Sequence, residues 1–136
     1  MKWKQIDRQP RTYVLIFNTG DELAKGIKDF AMEQNLADAS FKAIGALASV
    51  RLGWFNPETK KYQTSVDLKE QVELLSIIGD VAQHDGKPIV HAHVVVGRSN
   101  GVTAGGHLLE AHIRPTCEVF LTESPVHLSK ALASCR

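Results

Sequence analysis

The chain has 136 residues, enough for a single domain spanning residues 1–136 that needs no disulfide or metal staples to bury a core. Its composition is that of a globular protein, 43% hydrophobic and 23% charged, and 16 basic against 15 acidic residues leave a net charge of +1. That balance excludes a global electrostatic drive toward nucleic acid or an anionic membrane. Two cysteines, Cys117 and Cys135, make no disulfide framework and suit a reducing, cytoplasmic setting. Residues 1–8 lack the apolar core of a signal peptide, and no apolar run is long enough to span a bilayer.

After a polar lead-in, Thr12-Tyr13-Val14-Leu15-Ile16-Phe17 is β-branched and aromatic and reads as a buried strand. Asn18-Thr19-Gly20 turns the chain. Thr19-Gly20-Asp21-Glu22 then has the form of a capping box, the threonine hydroxyl serving the Glu22 amide and the glutamate reaching back. Capping is a better role for Asp21 and Glu22 than ligation. The helix that follows runs to about Asn35, with Leu23, Ile27, Phe30 and Ala31 at helical spacing.

From Ala39 the pattern is mostly strand, through Ser40–Ile44 and Gly45–Val50, with the glycine marking a bend. Arg51–Asn56 runs into the turn Asn56-Pro57-Glu58-Thr59-Lys60, and Tyr62–Val66 returns as the second arm of a hairpin. Lys60-Lys61, the densest basic run, reads as a solvated turn. Gln71–Gly79 is a further strand and His84–Pro88 a turn. A last long strand extends from Leu108 to about Thr122, before Pro125 and a small-residue tail. One main helix and about seven strands predict an α+β domain with a mainly antiparallel sheet, curled or in two layers. One helix cannot cover both faces of so much sheet, so a partner subunit is one way to cover the rest.

The most informative stretch is His91-Ala92-His93 through Gly105-Gly106-His107. His91 and His93 share one face of a strand. A turn centred near Asn100-Gly101 pairs residues whose numbers sum to 200, which sets His107 opposite His93. Opposed side chains lie about 5 Å apart at Cβ, so the three imidazoles can share one ion. Three nitrogen ligands with a fourth position open describe a catalytic-type zinc site. Taken singly, each histidine is more simply a surface or hydrogen-bonded core residue. Gly105-Gly106 marks either a bulge, which would shift this register, or a close approach of another backbone or a ligand.

Residue parity along the last strand sends Glu110, His112, Arg114 and Glu118 to the face away from His107, unless a bulge intervenes. No carboxylate of the hairpin shares the histidine face, so a general acid or base would have to come from another strand or subunit. Glu73 and Ser76 read as ordinary strand residues, and His84 and Asp85 as solvent-exposed. Neither Gly-x-Ser-x-Gly nor Gly-x-x-x-x-Gly-Lys-Ser/Thr is present, so catalytic residues are unassigned and phosphate cradling is not indicated.

The chain resembles the PPC domain (plants and prokaryotes conserved) in Gly105-Gly106-His107-Leu108 and His91-Ala92-His93, and the likeness extends over most of its length. Tyr13-Val14-Leu15 with Gly20-Asp21-Glu22, Ala43-Ile44-Gly45-Ala46-Leu47, Glu73–Gly79 and Glu118-Val119-Phe120-Leu121 are similar to successive segments of that family. The resemblance implies trimers of α+β subunits and a metal, zinc by default, on His91, His93 and His107. It also implies a fold similar to that of acetolactate decarboxylase, an enzyme with a three-histidine zinc site. Plant members use the domain for protein association and grip DNA through a separate Arg-Gly-Arg-Pro hook, which this sequence lacks. The expected function is therefore a metal-carrying homotrimeric binding or regulatory module. The alternative is a small zinc-dependent lyase or hydrolase acting on a small oxygenated substrate. A DNA-associated protein is a weaker third reading, needing a basic patch made by assembly.

Overall fold

In a computed structural model the chain is described over residues 1–8 and 10–124; of Ile6, Asp7 and Arg8 only the backbone is described. Cys135 and the tail from Pro125 lie outside the described residues. The elements run β1 (Lys2–Arg8), β2 (Arg11–Asn18), α1 (Leu23–Glu33), β3 (Ala39–Asn56), β4 (Lys61–Leu68), β5 (Val72–His84), β6 (Lys87–Gly97) and β7 (Thr103–Glu123). This is the expected α+β composition, one helix and seven strands in a single antiparallel sheet.

Strand order is β1-β2-β7-β6-β5-β3-β4, and β7 pairs in addition with β3. That extra pairing closes β3, β5, β6 and β7 into a ring, so the sheet curls rather than splitting into layers. Two long strands make closure possible. β7 pairs through residues 103–107 with β6 and through residues 116–122 with β2, while β3 contacts it along its length. Bends fall where the register shifts. One lies at Gly45, where an added Cβ would stand 2.5 Å from the Thr116 carbonyl oxygen. Only glycine lets the two backbones approach that closely.

The core lies inside the ring and between the sheet and α1. Leu47, Val50, Leu52, Leu74, Ile77, Val94, Val96, Ile113 and Val119 are buried in it. Tyr13, Leu15 and Phe17 of β2 are buried together with Leu23, Ile27 and Phe30 of the helix. Burying each such side chain contributes about 1.5–3 kcal/mol.

Two local expectations are corrected. The polar lead-in is a strand, because Trp3 packs edge-on against Phe30 and Tyr13, at centroid distances of 5.5 and 6.0 Å. The helix cap is not a Thr19 capping box. Glu22 itself is the N-cap and accepts from the amides of Ala24 and Lys25, while the Thr19 hydroxyl donates to the Pro115 carbonyl. A side chain committed to the amides of a helix start is not available as a ligand. At the other end, Asn35 takes a left-handed conformation (φ 53°) just past the helix.

Candidate metal centre

The turn at Asn100 works as the sequence predicts. Asn100 Oδ1 accepts from the Val102 amide, and Gly101 sits at φ 82°. Beyond it β6 and β7 pair as Gly97 with Thr103, Val95 with Gly105, and His93 with His107. Every pair sums to 200, so no bulge interrupts the Gly105-Gly106 step between these strands. The glycines serve close approach instead. A Cβ on Gly106 would stand 2.8 Å from the Gly53 carbonyl oxygen and one on Gly105 3.0 Å from that of Val94.

His91, His93 and His107 therefore converge. One ring nitrogen from each lies within 4.8 Å of the other two, the sole such cluster of three or more His, Cys, Asp or Glu among the described residues. Ring centroids are 5.1 Å apart for His91 with His93, 5.1 Å for His91 with His107, and 5.9 Å for His93 with His107. Ligand nitrogens on a tetrahedral zinc, bound at about 2.0–2.1 Å, sit roughly 3.3 Å from one another. Small side-chain rotations would supply the difference. His107 Nδ1 is buried and makes no hydrogen bond to the protein, which is costly for an imidazole nitrogen unless a ligand satisfies it. The donor set fits a divalent metal.

Electrostatics agree with that fit. The His107 pKa is pushed down to about 4, first by burial and then by the neighbouring His91 and His93. This ring is neutral over the physiological range, the form a metal requires. Tyr62 of β4 stacks on it at 3.8 Å and 19° between planes. The ring is thus held between its β6 neighbours and a tyrosine face.

The cluster borders an open concavity of about 1120 Å³. Trp54, Phe55, Ile78 and Val95 give it apolar walls, and Lys60 and Ser76 add polar groups. No Asp or Glu lines it among the described residues.

The parity reasoning for Glu110, His112, Arg114 and Glu118 is corrected, although their exclusion from the site holds. A register shift between the pairs Arg51–Glu110 and Leu52–Leu108 inserts a residue into β7. Buried positions change from Leu108 to Ala111 and Ile113 and stay odd at Cys117 and Val119, so Glu110, His112, Arg114 and Glu118 all return to the His107 face. They are engaged elsewhere: Glu110 pairs with Arg51 at 3.0 Å, and His112 Nδ1 lies 3.3 Å from Ser49 Oγ. Arg114 donates to the Gln71 side chain at 2.7 Å, and Glu118 is exposed away from the concavity. His84 and Asp85 are exposed in their turn.

Sequence reasoning missed Lys60 and Tyr62. Lys60 is not simply solvated: it takes a left-handed conformation (φ 54°) and lines the concavity. Aromatic Trp54, Phe55 and Tyr62 flanking one turn were the available signal, but only the β3–β7 pairing brings that turn beside His107.

A curled antiparallel sheet with one helix and three converging imidazoles on its outer face defines a small α+β protein with a histidine-cluster site. The chain belongs to the Plants and Prokaryotes Conserved domain family, whose profile matches residues 4–125. It is similar to a plant- and prokaryote-conserved protein of Pyrococcus horikoshii, at 36% identity and a TM-score of 0.83 over 92% of this chain and 87% of that one. A protein of Archaeoglobus fulgidus described as metal-containing is 33% identical, with a TM-score of 0.77 over 90% and 82% of the two chains. Among curated proteins, 113 residues match the bifunctional protein GlmU of Synechococcus sp. (strain JA-3-3Ab) at 33% identity. That match takes in 82% of this chain but only 16% of the relative. No described helix is long and apolar enough to cross a membrane.

Proposed function

We propose that this protein is a metal-carrying homotrimeric module that binds a ligand or partner in the cytoplasm, with zinc held by His91, His93 and His107. The observation that carries the reading is the convergence of three imidazole nitrogens within 4.8 Å beside an open concavity. Imidazole ligands suit zinc, copper, nickel and iron, and zinc is the default for a three-nitrogen set. The description of the Archaeoglobus fulgidus relative as metal-containing supports a metal of some kind. The trimer rests on the family resemblance and on the apolar outer face, where Ile44 and Ile78 are 62% and 73% exposed. Exposed groups of that kind favour burial against another subunit.

The lining of the concavity supports the binding role. A lyase or hydrolase needs a group that gives or takes a proton beside the reacting atoms, and no carboxylate is among the described lining residues. The size of the concavity favours a second reading, a small zinc-dependent lyase or hydrolase of an oxygenated substrate. In it a bound metal would supply Lewis acidity, Lys60 would attract an anionic group, and Tyr62 would hold His107 in place.

Elemental analysis of the purified protein beside a His93→Ala variant tests the metal. About one ion per chain in the wild type and a near-complete loss in the variant is the expected result. Equal, negligible contents would remove the ion from the account. Light scattering at several concentrations tests the trimer, which a monomer throughout would refute. Duplex DNA bound in a salt-dependent way would favour the DNA-associated reading instead.

A further inference from the structure

We propose that the concavity beside the histidines binds a small monocarboxylate with a flat apolar body, its charge met by Lys60 and its body lying on the aromatic wall. The proposal rests on the reading of the protein as a metal-carrying binding module and names the ligand class for that site. Trp54, Phe55, Tyr62, Ile78 and Val95 line the concavity, and they are five of the twelve large hydrophobic side chains exposed among the described residues. Apolar side chains gathered in one hollow mark a place where something apolar binds. Phe55 and Tyr62 meet edge-on at 5.4 Å, and Tyr62 lies over His107, so the aromatic wall runs up to the histidine cluster. The volume of about 1120 Å³ stands just above the range of small-molecule pockets, roughly 300–1,000 Å³. An anion no larger than acetate would leave most of it to water.

Lys60 sets the polar end. It is the one Lys, Arg, Asp or Glu in the lining among the described residues, and it forms no ion pair with any of them. It also holds a left-handed backbone position at φ 54°, whereas the other two non-glycine residues described with positive φ are Asn35 and Asp85. Asparagine and aspartate tolerate that conformation and lysine gains nothing from it, so the turn itself does not account for a lysine. One cation selects one negative charge. A phosphate dianion calls for an arginine fork or the amides of a helix start, and none of the described lining residues is an arginine or belongs to α1.

Calorimetry on the protein as purified tests this, with 2-naphthoate as the probe and 2-naphthamide and acetate beside it. The naphthoate should bind about five- to tenfold more tightly than the amide, and acetate more weakly than either. Lys60→Asn should weaken naphthoate by the same factor, leave the amide unchanged, and melt no lower than wild type, because asparagine suits the left-handed position. Trp54→Ala should weaken both aromatic probes about three- to tenfold. Equal affinity for acid and amide, or wild-type naphthoate binding by Lys60→Asn, would overturn the proposal. So would a lack of naphthoate uptake joined to a lower mass of Trp54→Ala in light scattering, the signs of a wall buried against a second copy. Elemental analysis of the same preparation keeps the two readings apart. Zinc retained without naphthoate binding sinks the carboxylate and leaves the metal, whereas Lys60-dependent binding without metal sinks the ion and supports the carboxylate.

Discussion

Replacing Gly106 by alanine should damage the fold and the histidine cluster together. The new Cβ would lie 2.8 Å from the Gly53 carbonyl oxygen and 3.1 Å from Leu52 Cβ. An ordinary carbon–oxygen contact needs about 3.4 Å, so β3 and β7 must part by roughly half an ångström. Neither obstacle can swing aside, because one is backbone and the other is the root of a buried leucine. Overpacking of this kind costs about 1–3 kcal/mol. In a chain of this length that lowers Tm by roughly 3–12 °C. The displacement falls at the step where Gly53 pairs with His107, so zinc affinity should drop as well. Thermal melts with and without chelator measure both effects, with exposed Thr103→Ala as a control expected within about 0.5 kcal/mol of wild type. A Gly106→Ala protein as stable as that control would refute the close-approach account of this glycine.

Other consequences can be checked in parallel. Metal-free protein should lose stability as pH falls from 6.5 toward 4, because the folded His107 pKa is about 4 against an ordinary 6.5 and the unfolded chain protonates first. At about 1.4 kcal/mol per tenfold the ceiling is near 3 kcal/mol, and partial exposure reduces it to roughly 1–2 kcal/mol. Urea melts of wild type and His107→Gln in chelator would show this as a shallower pH slope in the variant; equal slopes would count against it. Tyr62→Ala removes the stack on His107 and should cost about 0.5–1.5 kcal/mol while weakening zinc binding several-fold in the same chelator competition. Burial pushes the Cys117 thiol up to about 12. In a Cys135→Ser background it should therefore ignore a disulfide reagent in the native protein and react only on unfolding; rapid native labelling would show that the thiol is not enclosed.

What could be read from the sequence follows from how local each signal is. The histidine register was legible because an Asn-Gly turn and period-two alternation fix it over seventeen residues, from His91 to His107. The helix and its buried stripe were legible for the same reason. Glu110, His112, Arg114 and Glu118 were misplaced because the extra residue in β7 is imposed by pairing with β3, more than fifty residues earlier. Trp3 hid a strand inside polar sequence, since its partners Tyr13 and Phe30 are supplied by other elements. Lys60 and Tyr62 belong to the same class. Their nearness to His107 is a property of ring closure, which no local pattern encodes.

The reach of β7 also dictates how the chain must acquire its shape. This last of the described strands bonds to β2, β3 and β6, so nothing synthesised before it can finish the ring. Until residues 103–123 emerge from the ribosome, β2, β3 and β6 each present a bare hydrogen-bonding edge to whatever is nearby. Such non-local pairing makes for slow folding with a sticky nascent stage. Translation that stalls shortly after β6 should leave an aggregation-prone intermediate in search of a missing neighbour.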